Sequence, residues 1–150
     1  MSNRLNEITV SLFSNMLILG YYLVNIWPQF QQGDWNSEEV FQLWVIVIVA
    51  SIVLNIVGNI IAAISMNIAH AIKTRSSQEV RLIEDERDKF IGLKGDRVAY
   101  YATSSGIFLA MLSFVLGQPA LVMFSLLLLF TLVAEILGEL AQFYFFSRGS

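Results

Sequence analysis

The sequence predicts an all-α integral membrane protein with four transmembrane helices. Of its 150 residues, 56% are hydrophobic and only 14% are charged, and the mean hydropathy is positive. Four long apolar runs alternate with polar stretches. A soluble domain of this size carries more charge and less apolar surface, so composition alone indicates a protein of the lipid bilayer.

The first two predicted spans cover residues 8–27 and 40–66. About 20 residues of helix cross a hydrocarbon core of about 30 Å. We expect the first span to end at Trp27-Pro28, because proline has no backbone N–H to continue a helix. No small-residue cleavage site follows this run, which favours a span over a removable targeting segment. The second span is long enough to tilt or to project beyond the lipid.

The polar segment 67–97 separates the second span from the third. Val80, Ile83, Phe90 and Ile91 recur at helical spacing among charges of both signs. This pattern predicts a short amphipathic cytoplasmic helix between helices 2 and 3, covering residues 76–97. Glycines at positions 92 and 95 are candidate breaks in it.

The third and fourth predicted spans cover residues 98–116 and 121–146. The connection between them, Gly117-Gln118-Pro119-Ala120, is too short for anything but a tight hairpin turn. All four spans then form one domain, residues 1–150.

The distribution of basic residues predicts the orientation. All nine Lys and Arg lie near the N-terminus, in segment 67–97 or near the C-terminus, and none lies in the other two loops. Cytoplasmic loops of membrane proteins are enriched in Lys and Arg. We therefore expect both termini and the central segment on the cytoplasmic side of a plasma (inner) membrane.

Two short sequences, eighty positions apart, are alike. Residues 55–59 read Asn-Ile-Val-Gly-Asn and residues 135–139 read Glu-Ile-Leu-Gly-Glu. A proline follows the first span of each half of the chain. These matches predict two parallel-repeat hairpins related by a pseudo-two-fold axis along the membrane normal. Gly58 and Gly138 are then helix-packing positions, because a small residue lets a neighbouring backbone come close.

The same two sequences predict a polar layer inside the membrane. Asn55 lies 15 residues beyond Val40 and Glu135 lies 15 residues beyond Ala120, so both are about 22 Å from the outer ends of their spans. Asn59 and Glu139 lie one helical turn further in. Other polar residues reach a similar depth in the first and third spans: Ser11, Asn15, Thr103 and Ser104.

A carboxylate at this depth costs several kcal/mol unless it is paired, hydrated or protonated. No Lys or Arg lies in any predicted span. The two acids therefore share a proton, bind a cation together with amide oxygens, or meet water from the cytoplasm. We interpret Glu135, Glu139, Asn55 and Asn59 as a proton- or cation-binding site of a small transporter or channel. The alternatives are that these groups hydrogen-bond across the pseudo-axis and only fix the helix register, or that Glu139 extends to the membrane surface.

A second hypothesis is a non-catalytic regulatory or scaffold protein. In it the charged segment binds a cytoplasmic protein partner through Asp85, Glu86, Arg87 and Asp88. We expect a homodimer under either hypothesis, because four thin helices shield a polar layer poorly from lipid. With no Cys, one His and no nucleophile near a base, the sequence argues against an enzyme. We expect no cofactor and no nucleic-acid partner, and leave metal binding open.

The central charged segment also carries a resemblance. An acidic-Glu-Arg-Asp motif at residues 85–88 is followed by Ile91 and Lys94 and then by Ala99-Tyr100-Tyr101 at the third span. The sequence ends in an aromatic-basic-Gly tail at residues 146–149. In these features the second half of the chain resembles small multi-pass prokaryotic membrane proteins grouped only as a domain of unknown function. The resemblance implies a bacterial or archaeal inner-membrane protein and implies no activity.

Overall fold

The computed structural model describes the backbone of residues 2–72 and 78–148, and the side chains of residues 5, 7–58, 60–61 and 86–148. Within these residues the fold is all-α and contains no β-strand. Each of the four helices includes a stretch that is long and apolar enough to cross a membrane. The predicted class is therefore confirmed at this level. The helices are α1 (Ser2–Gln32), α2 (Ser37–Ile72), α3 (Gln78–Val115) and α4 (Ala120–Arg148).

Helix α1 does not end at Trp27-Pro28, so that predicted boundary is wrong. Pro28 lies inside the helix, which continues to Gln32. A proline removes one backbone hydrogen bond, and in apolar surroundings neighbouring turns and side chains can compensate for it. The helix ends where Gly33 adopts a φ of +69° and donates its N–H to the Gln29 carbonyl at 3.1 Å. Glycine takes this left-handed conformation without steric cost.

Helix α2 begins with a side-chain cap. The Asn36 Oδ1 atom accepts the backbone N–H of Glu38 at 3.0 Å, and its carbonyl accepts the N–H of Val40 at 3.1 Å. Asparagine at this position satisfies a donor that has no partner within the helix. The cap explains why α2 starts at Ser37, three residues before the predicted span.

The short cytoplasmic helix predicted over residues 76–97 is not a separate element. Helix α3 runs without interruption from Gln78 to Val115 and includes both Gly92 and Gly95. A glycine inside a helix costs about 1 kcal/mol relative to alanine, which is too little to end a helix that packs against a neighbour. Gly95 is buried against α4, so packing offsets its low helix propensity.

The tight turn between α3 and α4 is confirmed. Gly117 has a φ of +92°, its N–H donates to the Phe114 carbonyl at 3.0 Å, and the Gln118 N–H donates to the Ser113 carbonyl at 3.1 Å. These two bonds form a Schellman motif, which satisfies the last carbonyl groups of the helix. The Pro119 carbonyl then accepts the Val122 N–H and starts α4.

Replacing Gly117 by alanine is expected to lower the free energy of unfolding by about 1 kcal/mol, because an L-residue is strained in the left-handed region. Gly20→Ala is the control, since Gly20 is helical and no described atom lies within 4 Å of its Cβ position. Unfolding in mixed micelles of a mild detergent and dodecyl sulfate measures both values. Equal stability of the two variants would contradict the turn geometry.

Helix α4 is the centre of the packing. It packs most closely against α3 and also against α1, whereas α2 packs mainly on α1 and touches α4 only slightly. Within the described residues α2 and α3 make no close backbone approach. Helices α1, α2 and α4 therefore meet one another, and α3 packs on α4 without a close backbone approach to α1 or α2 within the described residues.

Two apolar clusters join α1 to its neighbours. The larger cluster includes Ile18, Tyr22 and Ile26 of α1, three residues of α2, and Leu128 and Leu132 of α4. The smaller one joins Ile8 of α1 to Ile91 of α3 and Phe146 of α4. The clusters lie at different heights along α1 and α4, and the candidate site lies between them.

Candidate functional site: a carboxyl group between α1 and α4

The site is built by the antiparallel packing of α1 and α4. Ser11 and Asn15 are four residues apart and therefore lie on the same face of α1. That face meets α4 at Glu139, between the level of Ile8 and Phe146 and the level of Ile18 and Leu132. We call Glu139, Ser11 and Asn15 the Glu139 site.

The two oxygens of the Glu139 carboxyl group have different surroundings. Oε1 accepts hydrogen bonds from the Ser11 hydroxyl group and from Asn15 Nδ2, the latter at 2.9 Å. Oε2 is buried and has no hydrogen-bond partner. Asn15 is only 7% exposed, so this polar contact is enclosed by protein. A buried acceptor without a partner is uncommon and is often found where water, an ion or a proton takes part in function.

Both hydrogen-bond donors to Glu139 are neutral. No Lys or Arg occurs between Arg4 and Lys73 or between Arg97 and Arg148. The apolar clusters lie on both sides of the site along the helix axes. An ionised carboxylate here depends on two neutral donors alone, which compensate for only part of the free energy of removing a charge from water.

Glu135 lies one turn away and in a different environment. It is exposed, whereas Glu139 is half-buried. On a helix, residues four apart have neighbouring side chains, so the two carboxyl groups are adjacent along α4. The structure thus places Glu135 and Glu139 one turn apart on α4, with Glu139 half-buried and Glu135 exposed.

The predicted amide partners on α2 are not the groups that contact Glu139. Asn55 is exposed, and its Nδ2 donates to the Ser51 carbonyl of its own helix at 2.9 Å. The side chain of Asn59 lies outside the described residues. The partners come from α1, whose Ser11 and Asn15 the sequence placed at the same depth without assigning them to Glu139.

The two other polar residues at this depth do not join the site. Thr103 is half-buried and Ser104 is exposed on α3, and neither bonds to Glu139. Of the four candidates, the structure brings Ser11 and Asn15 to the carboxyl group, and the common membrane depth of all four stays a prediction.

The two glycines predicted as packing positions differ. A Cβ placed on Gly138 would lie 2.9 Å from the Ala99 Cβ and 3.2 Å from the Gly95 carbonyl oxygen, so Gly138 lies at a close contact of α3 and α4. No described atom lies within 4 Å of a Cβ placed on Gly58. The similarity in sequence between residues 55–59 and 135–139 therefore does not extend to how closely their glycines pack against other helices.

The predicted partner-binding residues lie in the first half of α3. Glu86 is exposed, whereas Arg87 and Asp88 are half-buried, and the side chain of Asp85 lies outside the described residues. Arg87 has a buried Nη2 atom without a hydrogen-bond partner. Docking of a protein on this segment stays a prediction.

The Glu139 site can bind and release a proton, or hold a cation, without any basic residue. Among the side chains that the structure describes, no group of three or more His, Cys, Asp or Glu is placed to hold a metal ion. A cation at Glu139 would thus have carboxylate and neutral oxygen ligands, such as the Ser11 hydroxyl group and the Asn15 amide oxygen.

Comparison with known proteins found no protein similar to this chain. No family model matches the sequence, no curated protein matches it, and no solved structure matches it. The resemblance of the second half of the chain to small prokaryotic membrane proteins stays a prediction.

Proposed function

We propose that this chain is a small multi-pass membrane protein that moves protons or cations across the bilayer, with Glu139 as the binding group. One observation carries the proposal. Oε1 of Glu139 accepts two hydrogen bonds from α1, while Oε2 is buried and has no partner. Carboxyl groups inside membrane-spanning helices commonly mark ion pathways and proton relays, and this one has an oxygen without a hydrogen-bond partner.

Binding at Oε2 changes the contact between α1 and α4. Hydrogen bonds to a charged acceptor are about twice as strong as those between neutral groups. A proton or cation that binds Oε2 neutralises the carboxylate and weakens the bonds from Ser11 and Asn15, which both end on Oε1. The binding of a proton or cation at Glu139 is in this way coupled to the strength of the contact between α1 and α4. Transport requires such a coupling.

Glu135 is the second group of the proposed path. It lies one turn, about 6 Å, from Glu139 along α4, on the side of the α3–α4 turn, and it is exposed. An exchanging proton or cation reaches Glu135 first and Glu139 second when it enters from that side. Asn55, which is exposed and bonded to its own helix, has no part in this path.

The proposal includes an orientation and a homodimer. The absence of Lys and Arg from residues 5–72 and 98–147 supports cytoplasmic termini in the plasma membrane. A single copy leaves the Glu135 carboxyl group towards lipid, which is costly, so a second copy that covers it is part of the proposal. The parallel repeat of the two hairpins stays a prediction, since Gly58 and Gly138 pack differently.

The test is Glu139→Gln in proteoliposomes that contain either a pH-sensitive dye or a Na⁺-sensitive dye. Glutamine keeps the size of the side chain and its acceptor for Ser11 and Asn15, but it cannot release a proton. We expect at least a tenfold lower proton or Na⁺ flux than the wild-type protein gives, with unchanged helix content. Glu86→Gln is the control with the same charge change, since Glu86 is exposed on α3.

Three results would contradict the proposal: wild-type flux equal to that of protein-free vesicles, wild-type flux in Glu139→Gln, or an equal loss in the control. A Glu139→Gln protein that is more stable and retains its flux favours the structural interpretation, in which the carboxyl group only fixes the register of α1 on α4. The regulatory or scaffold hypothesis then becomes the leading one.

A further inference from the structure

A second polar site lies at the other end of α1, in the hairpin between α1 and α2. A cavity of about 670 Å³ opens there. Along α1 its wall is formed by residues 25, 28, 29 and 32, which recur at the spacing of one helix face. The loop residues 34–36, and Ser37 and Glu39 of α2, complete it. Gln29 lies 14 residues, about 21 Å, from Asn15, so the cavity is distinct from the Glu139 site.

The charge at this end of the molecule is entirely negative. Asp34 and Glu39 line the cavity, Glu38 is next to it, and no Lys or Arg occurs anywhere between Arg4 and Lys73. Part of this charge has a structural role, because carboxylates in the first turn of α2 interact favourably with the helix dipole. Asn36 Nδ2 donates to Glu39 Oε1 at 3.2 Å. The acidic residues alone therefore do not establish a binding site.

Gln29 supplies the independent observation. Its side chain is 9% exposed, and Nε2 donates to Glu39 Oε2 at 3.3 Å. Its carbonyl oxygen, Oε1, is buried and has no hydrogen-bond partner. The bond from Nε2 fixes which end of the amide is the oxygen. An unsatisfied buried acceptor in the wall of a negatively charged cavity lacks a donor or a positive ligand.

We propose that this cavity binds a hydrophilic cation through the carboxylates of Asp34 and Glu39 and the amide oxygen of Gln29. Carboxylate and amide oxygens are the ligands of hard divalent cations, and Mg²⁺ usually keeps several of its waters. The cavity is larger than a bare ion needs and lies in the size range of small-molecule sites. Its occupant is a hydrated divalent cation or an organic polyamine, which share this recognition chemistry.

Trp35 makes binding measurable. Its ring lines the cavity and packs edge to face on Phe30 with centroids 4.8 Å apart. In a Trp27→Phe, Trp44→Phe protein, Trp35 is the one remaining tryptophan. We expect a saturable change in its fluorescence when the full-length protein in lipid nanodiscs is titrated with MgCl₂ or with spermidine, and a matching calorimetric stoichiometry of one per chain.

Matched variants separate specific binding from general charge. Glu39→Gln and Glu38→Gln remove the same charge at adjacent positions, but only Glu39 lines the cavity. We expect at least tenfold weaker binding in Glu39→Gln and less than a threefold change in Glu38→Gln, since an exposed charge that makes no contact with the ligand contributes little. Gln29→Glu should strengthen binding of the same probe, and Gln29→Leu should weaken it. Asp34→Asn removes a carboxylate of the cavity that lies outside the cap of α2. It therefore tests the binding site even if Glu39→Gln impairs folding.

A comparison of the two probes also identifies the class of ligand. Binding to the Glu139→Gln protein distinguishes this proposal from the transport function. Binding of Mg²⁺ alone assigns a metal site, and binding of spermidine alone assigns an amine site. The proposal is overturned if neither probe binds at millimolar concentration, or if the Glu38 and Glu39 variants lose affinity equally. Glu139→Gln should bind the probe as the wild type does, whatever its flux.

Discussion

Gly95→Val is expected to lower the free energy of unfolding by about 3 kcal/mol, because overpacking a close helix contact forces the backbones apart. A Cβ at Gly95 would overlap the Gln142 side chain and lie 2.8 Å from the Gly138 carbonyl oxygen. The Gln142 side chain can move, but the carbonyl group belongs to the backbone of α4 and cannot. Unfolding in mixed micelles, monitored by circular dichroism, measures this loss of unfolding free energy.

Gly92→Val is the matched control for this contact. Gly92 lies one turn earlier in the same helix, and no described atom lies within 4 Å of its Cβ position. We expect a change below about 0.5 kcal/mol there, as for substitutions away from close packing. If both variants are equally stable, α3 and α4 do not meet at Gly95 and Gly138.

Tyr22→Ala is expected to destabilise the protein by about 4 kcal/mol, the range for removing a large aromatic side chain from a packed interior. Tyr22 is 0% exposed and belongs to the cluster that joins α1, α2 and α4. Its hydroxyl group donates to the Ser125 carbonyl at 2.7 Å. The substitution removes this bond and leaves a cavity where three helices meet.

One further variant separates the contribution of the Tyr22 hydroxyl group from that of its ring, and a second is a control. Tyr22→Phe keeps the ring and removes the hydroxyl group, so we expect about 1 kcal/mol, the usual net value of one hydrogen bond. Tyr21→Ala is the control, because Tyr21 is 46% exposed, and we expect less than about 0.5 kcal/mol. The same mixed-micelle unfolding gives all three values. A Tyr21→Ala loss as large as that of Tyr22→Ala would mean that the opposite face of α1 is the packed one.

The sequence was sufficient for the four helices that are long and apolar enough to span a membrane and for the turn at Gly117. Length and hydropathy determine whether a helix can span a membrane, and these are properties of each segment by itself. It failed at Pro28, which lies inside α1, and at Gly92 and Gly95, which lie inside α3. In both cases a residue that disfavours a helix in water is tolerated in a helix that is packed or in apolar surroundings.

The pairing of helices could not be predicted in the same way. Asn55 and Glu139 lie in similar sequences, but in the structure Glu139 contacts Ser11 and Asn15 of α1. Apolar residues cover most faces of a membrane helix, so periodicity does not show which face meets protein and which meets lipid. The depth of Ser11 and Asn15 was readable from the sequence, and their contact with Glu139 was not.

Consecutive residues of α4 contact different helices. Glu139 is hydrogen-bonded to α1, whereas Gly138 packs against Ala99 and Gly95 of α3 without space for a methyl group. Any sliding or rotation of α4 that accompanies a change at the carboxyl group is therefore resisted immediately by backbone atoms on its other side. The α3–α4 hairpin should move as one rigid unit relative to the α1–α2 hairpin, so a spin-label pair within the first should keep its distance while a pair between the two changes.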